Sequence, residues 1–233
     1  MSASTPQLPA PVEDGVLGRY RLRARIASGG AGSVFAAEDA CGGNEVVVKF
    51  IDAREDALGG WVKEMRIALR LVHPHIVRCR SVGYDQELQA WALIYDYATG
   101  GSLRRALIQH KGETETLAPT VLGQVGSALN YAHSQNVIHR DVKPENIVAT
   151  PTDGGPTWKL TDFGDARHLL EGDSAESVVG SLTYMAPETF SGNTTRASDL
   201  YSLGVVGIEM LDGKIPTRRA IRDFARQHWR APG

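Results

Sequence analysis

The chain has 233 residues, 42% of them hydrophobic and 22% charged, an ordinary globular composition long enough for a real core. Its 25 Lys and Arg against 27 Asp and Glu leave a formal charge of -2, which excludes a protein built chiefly to coat nucleic acid or an anionic membrane. No apolar run approaches the roughly 20 residues that span a bilayer, and the two cysteines, Cys41 and Cys79, are too few for a disulfide scaffold and have no metal-type cluster around them.

Met1 to Gly15 is rich in Ser, Pro and Ala and lacks the basic and apolar regions of a secretory signal. It reads as a flexible leader, drawn here through residue 19. With two free thiols, this points to an intracellular, cytoplasmic protein. Tyr20 to Val34 reads as strand, glycine-rich turn and strand, with Arg21, Arg23 and Arg25 alternating with Leu22, Ala24 and Ile26. Glu45 to Phe50 is a valine-rich strand. Trp61 to Leu71 reads as a helix with Met65, Ala68, Leu69 and Val72 on one side, stopped by His73-Pro74. Ile76 to Tyr97 holds two or three strands.

Gly100-Gly101 breaks the pattern, which then turns helical. Ser102 to His110 is a short helix and Pro119 to Ser134 a longer one. Strand-like fragments follow at Asn136–Ile138, Ile147–Ala149 and Trp158–Leu160, with a turn at Thr152-Asp-Gly-Gly-Pro156. Ser198 to Leu211 is an apolar, buried helix. The expected fold class is α+β. A sheet-rich half (20–97) with one main helix joins a mostly helical half (102–233) through a hinge at 98–101.

The sharpest segment is His139-Arg-Asp-Val-Lys-Pro-Glu-Asn146, followed by Asp162-Phe-Gly164. Phosphoryl transfer needs oxygen ligands for a hard divalent cation. It needs a carboxylate to orient the attacking hydroxyl and a lysine to neutralise the moving charge. Asp162 and Asn146, Asp141, and Lys143 supply these in turn. Competing nucleotide signatures fail: no G-x-x-x-x-G-K-[ST] occurs, and no dinucleotide fingerprint opens a helix.

Here the chain resembles the eukaryotic-type protein kinases, whose signature set it matches in order from Tyr20 to about Gly213. The resemblance implies a bilobal kinase fold binding ATP and Mg2+. Val46-Val-Val-Lys49 looks like the strand whose lysine pairs the ATP phosphates, and Glu64 is placed to hold that lysine. Gly29-Gly-Ala-Gly32 looks like the phosphate loop, with Ile26, Ala27, Val34 and Val47 lining the nucleotide. Leu93-Ile-Tyr-Asp-Tyr-Ala98 looks like the hinge, with Tyr95 as gatekeeper, Asp96 after it, and the Ala98 backbone meeting adenine. Gly180 to Glu188 looks like the end of the activation segment, and Asp199 to Gly204 like the start of the helix that anchors the catalytic loop.

In that reading Asp141, Lys143, Lys49, Glu64 and Ser181 are the catalytic set, and Asn146 and Asp162 the metal ligands. His139, Phe163 and Asp199 are read as scaffolding. Lys143, two residues after Asp141, resembles the Ser/Thr kinases, so the implied partner is a protein with a Ser or Thr acceptor. No nucleic acid beyond the nucleotide and no membrane is expected. Arg140 before Asp141 implies control by an activating partner, or by an upstream kinase acting at Ser177, with Ser174 second.

Three departures stand out. Ala27 replaces the first glycine of the phosphate loop. Ala68 stands where a larger apolar residue joins the lobes. After Pro216 only the basic stretch Thr217 to Trp229 remains where the resemblance implies further helices. The helical half is therefore expected to be truncated, with apolar surface open. Glu188 would lack the arginine that pairs it, and would find a local arginine or stay wet. Ser102, in place of an acidic residue, gives no reason to expect a preference for arginine before the acceptor. Two functions follow from different classes. One is an active Ser/Thr kinase. The other is a weak or inactive nucleotide-binding regulatory or scaffold module, or a kinase fragment.

Overall fold

The computed structural model describes residues 15–29, 32–51, 60–109, 114–163, 182–191, 193–217 and 219. The chain divides into two compact units, Met1–Val72 with Arg78–Tyr97, and His73–Val77 with Ala98–Gly233.

The first unit is one five-stranded antiparallel sheet with a helix. Its strands are β1 (Tyr20–Gly29), β2 (Gly32–Asp39), β3 (Glu45–Ile51), β4 (Cys79–Asp85) and β5 (Ala90–Asp96), in the order β1-β2-β3-β5-β4. Helix α1 (Gly60–Arg70) follows β3. Strand β3 is central and nearly all buried, which suits its run of β-branched residues. One core gathers Val46, Val48, Phe50, Ala92 and Ile94 with Tyr20 and Ala37. A second gathers Ile51, Cys79 and Leu93 beneath Met65 and Ala68 of α1. Burial of each such side chain contributes about 1.5–3 kcal/mol.

Three sequence expectations fail in this unit. The expected leader is structured from Gly15 onward. Val16 is fully buried in the first core, its N–H bonds the Tyr20 carbonyl, and the Leu17 N–H donates to Asp85 at 2.8 Å. An apolar side chain with a vacant place in a core outweighs the flexible composition before it. The alternation in β1 also stops short. Register shifts after Leu22 and after Arg25 interrupt the two-residue period, and Ile26 is left exposed. The expected single apolar side of α1 also splits: Leu69, and Val72 beyond the helix end, are exposed, while Met65 and Ala68 pack inward.

The second unit contains α2 (Leu103–Gln109), α3 (Ala118–Ser134), the two-stranded ribbon β6 (Ile147–Thr150) and β7 (Thr157–Leu160), and α4 (Arg196–Asp212). Helix α3 buries Val121, Val125, Ala128, Leu129 and Ala132, a helical stripe that meets α4 and β7. Helix α4 starts at a Thr195–Ser198 capping box and ends at Gly213 in the left-handed conformation.

His73–Val77 belongs to this second unit, not to the sheet-rich half expected from sequence. Ile76 bridges Leu160, Val77 and His75 exchange backbone bonds with Leu160, and His73 stacks on Tyr131. The segment therefore completes β7 in place of starting a strand of the sheet. Asn136–Ile138 is not a strand. Asn136 turns at φ 58°, and the Asn136 and Val137 N–H groups bond back to the end of α3. Gly100-Gly101 is a docked turn. Gly100 bonds the Ala149 carbonyl, to which an added Cβ would come within 2.7 Å, and Gly101 accepts from Ala149. Among the described residues no helix is long and apolar enough to cross a membrane.

Candidate active site

Among the described residues, the expected site residues with polar partners form two groups, one in each unit. In the first unit the group is built on β3. Side chains alternate along a strand, so Val47, Lys49 and Ile51 share one face, the face covered by α1. The register places Val34 opposite Lys49, Ala27 opposite Val34, and Tyr95 opposite Val47. Directly opposed residues share a face. Lys49 is 6% exposed, and its Nζ donates to Glu64 Oε1 at 2.8 Å. Helix α1 supplies that carboxylate from one turn before Ala68. Removing one partner of such a pair leaves a buried charge uncompensated, at a cost of about 3–5 kcal/mol.

The glycine hairpin shows why Gly32 admits no other residue. Its φ is +109°, and an added Cβ would lie 1.9 Å from the Phe50 carbonyl oxygen. Gly29 pairs with Gly32 at the end of the ladder. Ile26 is exposed. Asp96 accepts from Arg80 Nε at 2.5 Å, and its N–H bonds the Arg78 carbonyl. The unit boundary falls between Tyr97 and Ala98.

In the second unit the group is the loop between α3 and β6. Asp199, 1% exposed at the start of α4, accepts from the backbone N–H of His139 at 2.9 Å and of Arg140 at 2.8 Å. His133 Nε2 lies 2.7 Å from the same carboxylate. These bonds hold Arg140 at φ 71°, a conformation costly for a non-glycine residue. His139 is fully buried. Its Nδ1 accepts from the Asp141 N–H at 3.2 Å, so its Nε2 carries the proton and donates to the Thr161 carbonyl at 3.0 Å.

That arrangement fixes Asp141. Lys143 Nζ lies 2.8 Å from Asp141 Oδ2, and Asn146 Nδ2 donates to the same oxygen at 2.9 Å and to the Asp141 carbonyl at 2.8 Å. The Thr161 N–H bonds the Asn146 carbonyl at 2.9 Å, which sets Asp162 beside Asn146 along the chain path. Phe163 packs its ring on His139, with centroids 4.6 Å apart. Asp162, between these two anchors, has φ 61°. The donor set suits magnesium. Asn146 commits its amide nitrogen to Asp141 and keeps a carbonyl oxygen, and Asp162 adds a carboxylate. Magnesium takes few protein oxygens alongside phosphate and water.

Ser181, with Ser174 and Ser177, lies outside the described residues. So do Gly30 and Ala31 and nearly all of Thr217 to Trp229. Glu188 differs from expectation. Among the described residues its partner is the Ser198 hydroxyl, which donates at 2.7 Å, and no arginine. That hydrogen bond, with one from its own backbone, holds its carboxyl below the ordinary value. Leu200 and Leu211 of α4 are exposed.

The protein kinase domain family matches residues 20–230. The chain belongs to the protein kinase family. The beta subunit of the inhibitor of nuclear factor kappa-B kinase from Mus musculus is 32% identical over 226 residues, covering 91% of this chain and 29% of that protein. The serine/threonine-protein kinase PknA of Mycobacterium tuberculosis is 36% identical over 209 residues, 85% of this chain and 48% of that protein. The serine/threonine-protein kinase PrkC of Bacillus subtilis is 32% identical over 208 residues, 86% and 31%. This kinase chain thus spans less than half the length of these curated relatives. Its α+β fold, a sheet-rich unit and a helical unit, is that of the family.

Reading the sequence missed the cluster around Arg104. Arg104 on α2 reaches Glu145, Glu209 and the Tyr184 hydroxyl. The available signal was Glu209, a carboxylate inside the otherwise apolar run Leu203–Leu211. A charge in such a run demands a partner, but nothing local names Arg104 as that partner.

Proposed function

We propose that this chain is a serine/threonine protein kinase that transfers the γ-phosphoryl group of ATP to a hydroxyl of a protein substrate. The observation that carries the reading is the state of Asp141, whose carboxylate is gripped by Lys143 and Asn146 in a loop pinned to the buried Asp199. A carboxylate held this way orients an acceptor hydroxyl and takes its proton as the oxygen bonds to phosphorus. Lys143 offsets charge on the transferring oxygens. Lys49, locked by Glu64, engages the nucleotide phosphates, with Ile26, Ala27, Gly29, Gly32, Val34, Val47, Tyr95, Asp96 and Ala98 around the nucleotide. Asn146 and Asp162 would hold magnesium, which when bound would draw charge from the phosphates.

Two relatives carry serine/threonine kinase in their names, and Lys143 fits that acceptor class. Control through Ser177, and bracing of Asp141 by Ser181, rest on the sequence resemblance alone. The test is transfer of labelled phosphate from ATP with magnesium to a Ser/Thr protein, for wild type and Asp141→Asn. Circular dichroism checks that both are folded. Loss of about a hundredfold or more in the variant is expected from removal of a general base. No turnover from folded wild type overturns the reading in favour of a nucleotide-binding module, and unchanged turnover in Asp141→Asn overturns the role given to Asp141.

A further inference from the structure

His73 opens the segment that pairs with β7, and both of its ring nitrogens are engaged. The His75 N–H donates to Nδ1 at 3.1 Å, so Nε2 carries the proton, and it faces the Ser127 hydroxyl of α3 at 3.3 Å. The ring stacks on Tyr131, also of α3, with centroids 5.1 Å apart and planes inclined by 22°. His75 lies beside it, with ring centroids 5.6 Å apart, and donates from Nδ1 to the Trp158 carbonyl at 3.1 Å. The Trp158 N–H in turn donates to Gln124 of α3 at 2.7 Å.

A neutral imidazole can accept the His75 N–H, and an imidazolium cannot. The open lone pair of His73 is at Nδ1, so a proton there sets two donors face to face and breaks the bond. The ionisable groups facing His73 are His75 from its own segment and the Tyr131 phenol from α3. β7 presents the Trp158 carbonyl, to His75, and among the described residues no carboxylate bonds either imidazole. His75 Nε2 can take a proton without losing the Trp158 bond, and that charge would repel one on His73. The Tyr131 ring face favours a cation and works the other way. Burial first, then the His75 charge, hold the His73 imidazole below its ordinary 6.5.

The segment fixed in this way leads to the site. The Val77 N–H bonds the Leu160 carbonyl at 2.9 Å, and the Leu160 N–H bonds the His75 carbonyl at 2.9 Å. Leu160 ends β7. Thr161 comes next, bonded to Asn146 and to His139, and then Asp162.

We propose that His73 is a pH-sensitive latch. Neutral, it locks His73–Val77 onto α3 and β7, and a proton on Nδ1 releases the segment and slackens the end of β7 that leads to Asp162. The consequence for phosphate transfer rests on the kinase reading above. Folded His73 takes its proton less readily than the unfolded chain does. Its contribution to stability is therefore present above the ordinary 6.5 and is lost as pH falls through the folded value.

The test compares wild type, His73→Asn and His73→Phe between about pH 5 and 8, the range in which histidine titrates. Asparagine keeps an acceptor oxygen for the N–H two residues on and does not titrate. Phenylalanine keeps the stack on Tyr131 and has no acceptor. Histidine ring NMR gives the His73 midpoint. Hydrogen exchange, corrected for its intrinsic pH dependence, follows the His75, Val77 and Leu160 amides. In wild type their protection should fall about two- to tenfold as pH drops through the His73 midpoint, the worth of one hydrogen bond. His73→Asn should show no such step, and His73→Phe should be poorly protected throughout. The ratio of wild-type to His73→Asn kcat/KM cancels the titration of Asp141 and of His75, and should fall by a similar factor over the same step.

A His73 midpoint with no change in exchange would leave the residue a packing group and overturn the proposal. So would an equal step in His73→Asn, which would assign the titration elsewhere. If His73→Phe does not fold, wild type and His73→Asn decide by the same criteria. If wild type transfers no phosphate, the kinase reading fails separately, and the exchange step, present in wild type and absent in His73→Asn, still decides the latch.

Discussion

At the residue scale, single polar groups are placed where burial makes them decisive. Asp199 accepts bonds from two successive backbone N–H groups and faces His133, so a carboxylate far from Asp141 in sequence sets the shape of its loop. Glu188 illustrates the reverse, a carboxylate that finds a nearby hydroxyl. Its folded pKa lies below the ordinary 4.5, first because Ser198 donates to it. The folded state therefore binds this proton less readily than the unfolded chain. Its stabilising contribution is present above about pH 4.5 and is lost as pH falls through the folded value. Ser198→Ala should move the Glu188 midpoint upward, toward 4.5, in a carboxyl-carbon NMR titration. A midpoint that does not move would remove Ser198 as the cause.

At the element scale, α3 and α4 pack closely where α4 carries glycine. A Cβ on Gly207 would come 3.1 Å from Leu122 Cδ1, whereas Gly204, on the exposed side of the same helix, has open space around it. Gly207→Val should therefore destabilise by about 1–3 kcal/mol through overpacking. Gly204→Ala should stabilise by up to about 1 kcal/mol, because alanine restricts the helix backbone better. Urea denaturation of both variants checks the pair, and equal shifts would mean that Gly207 is not a packing residue. The β1 strand makes a related point. Its period-2 sequence was readable, but two register shifts decide which residues reach the core.

At the scale of the whole molecule, each unit has its own core, and each holds one group of the proposed site. Binding to the folded state alone must raise the unfolding midpoint. Magnesium with ATP at about a hundred times its dissociation constant should add about 2.7 kcal/mol, or roughly 5–10 °C. Lys49→Met should abolish most of that shift. It also leaves Glu64 without its cation in a largely buried position, so its own midpoint should fall. A full nucleotide shift in Lys49→Met would show that this lysine does not hold the phosphates.

Much of the fold and the candidate site was legible because local signals and spacing agree. The valine run around Lys49, the loop from His139 to Asn146, and the caps of α4 each announce themselves within a few residues. The sequence determined the family, the alternation that turns Lys49 toward α1, and the order of the chemical groups. Tertiary structure decided the rest, because burial and pairing depend on residues distant in the chain. It drew Val16 into a core, tied His73–Val77 to β7 and turned Asn136 out of a strand. It also gave Glu188 a hydroxyl partner and brought Arg104 to Glu209, a pairing across 105 residues that no local pattern encodes.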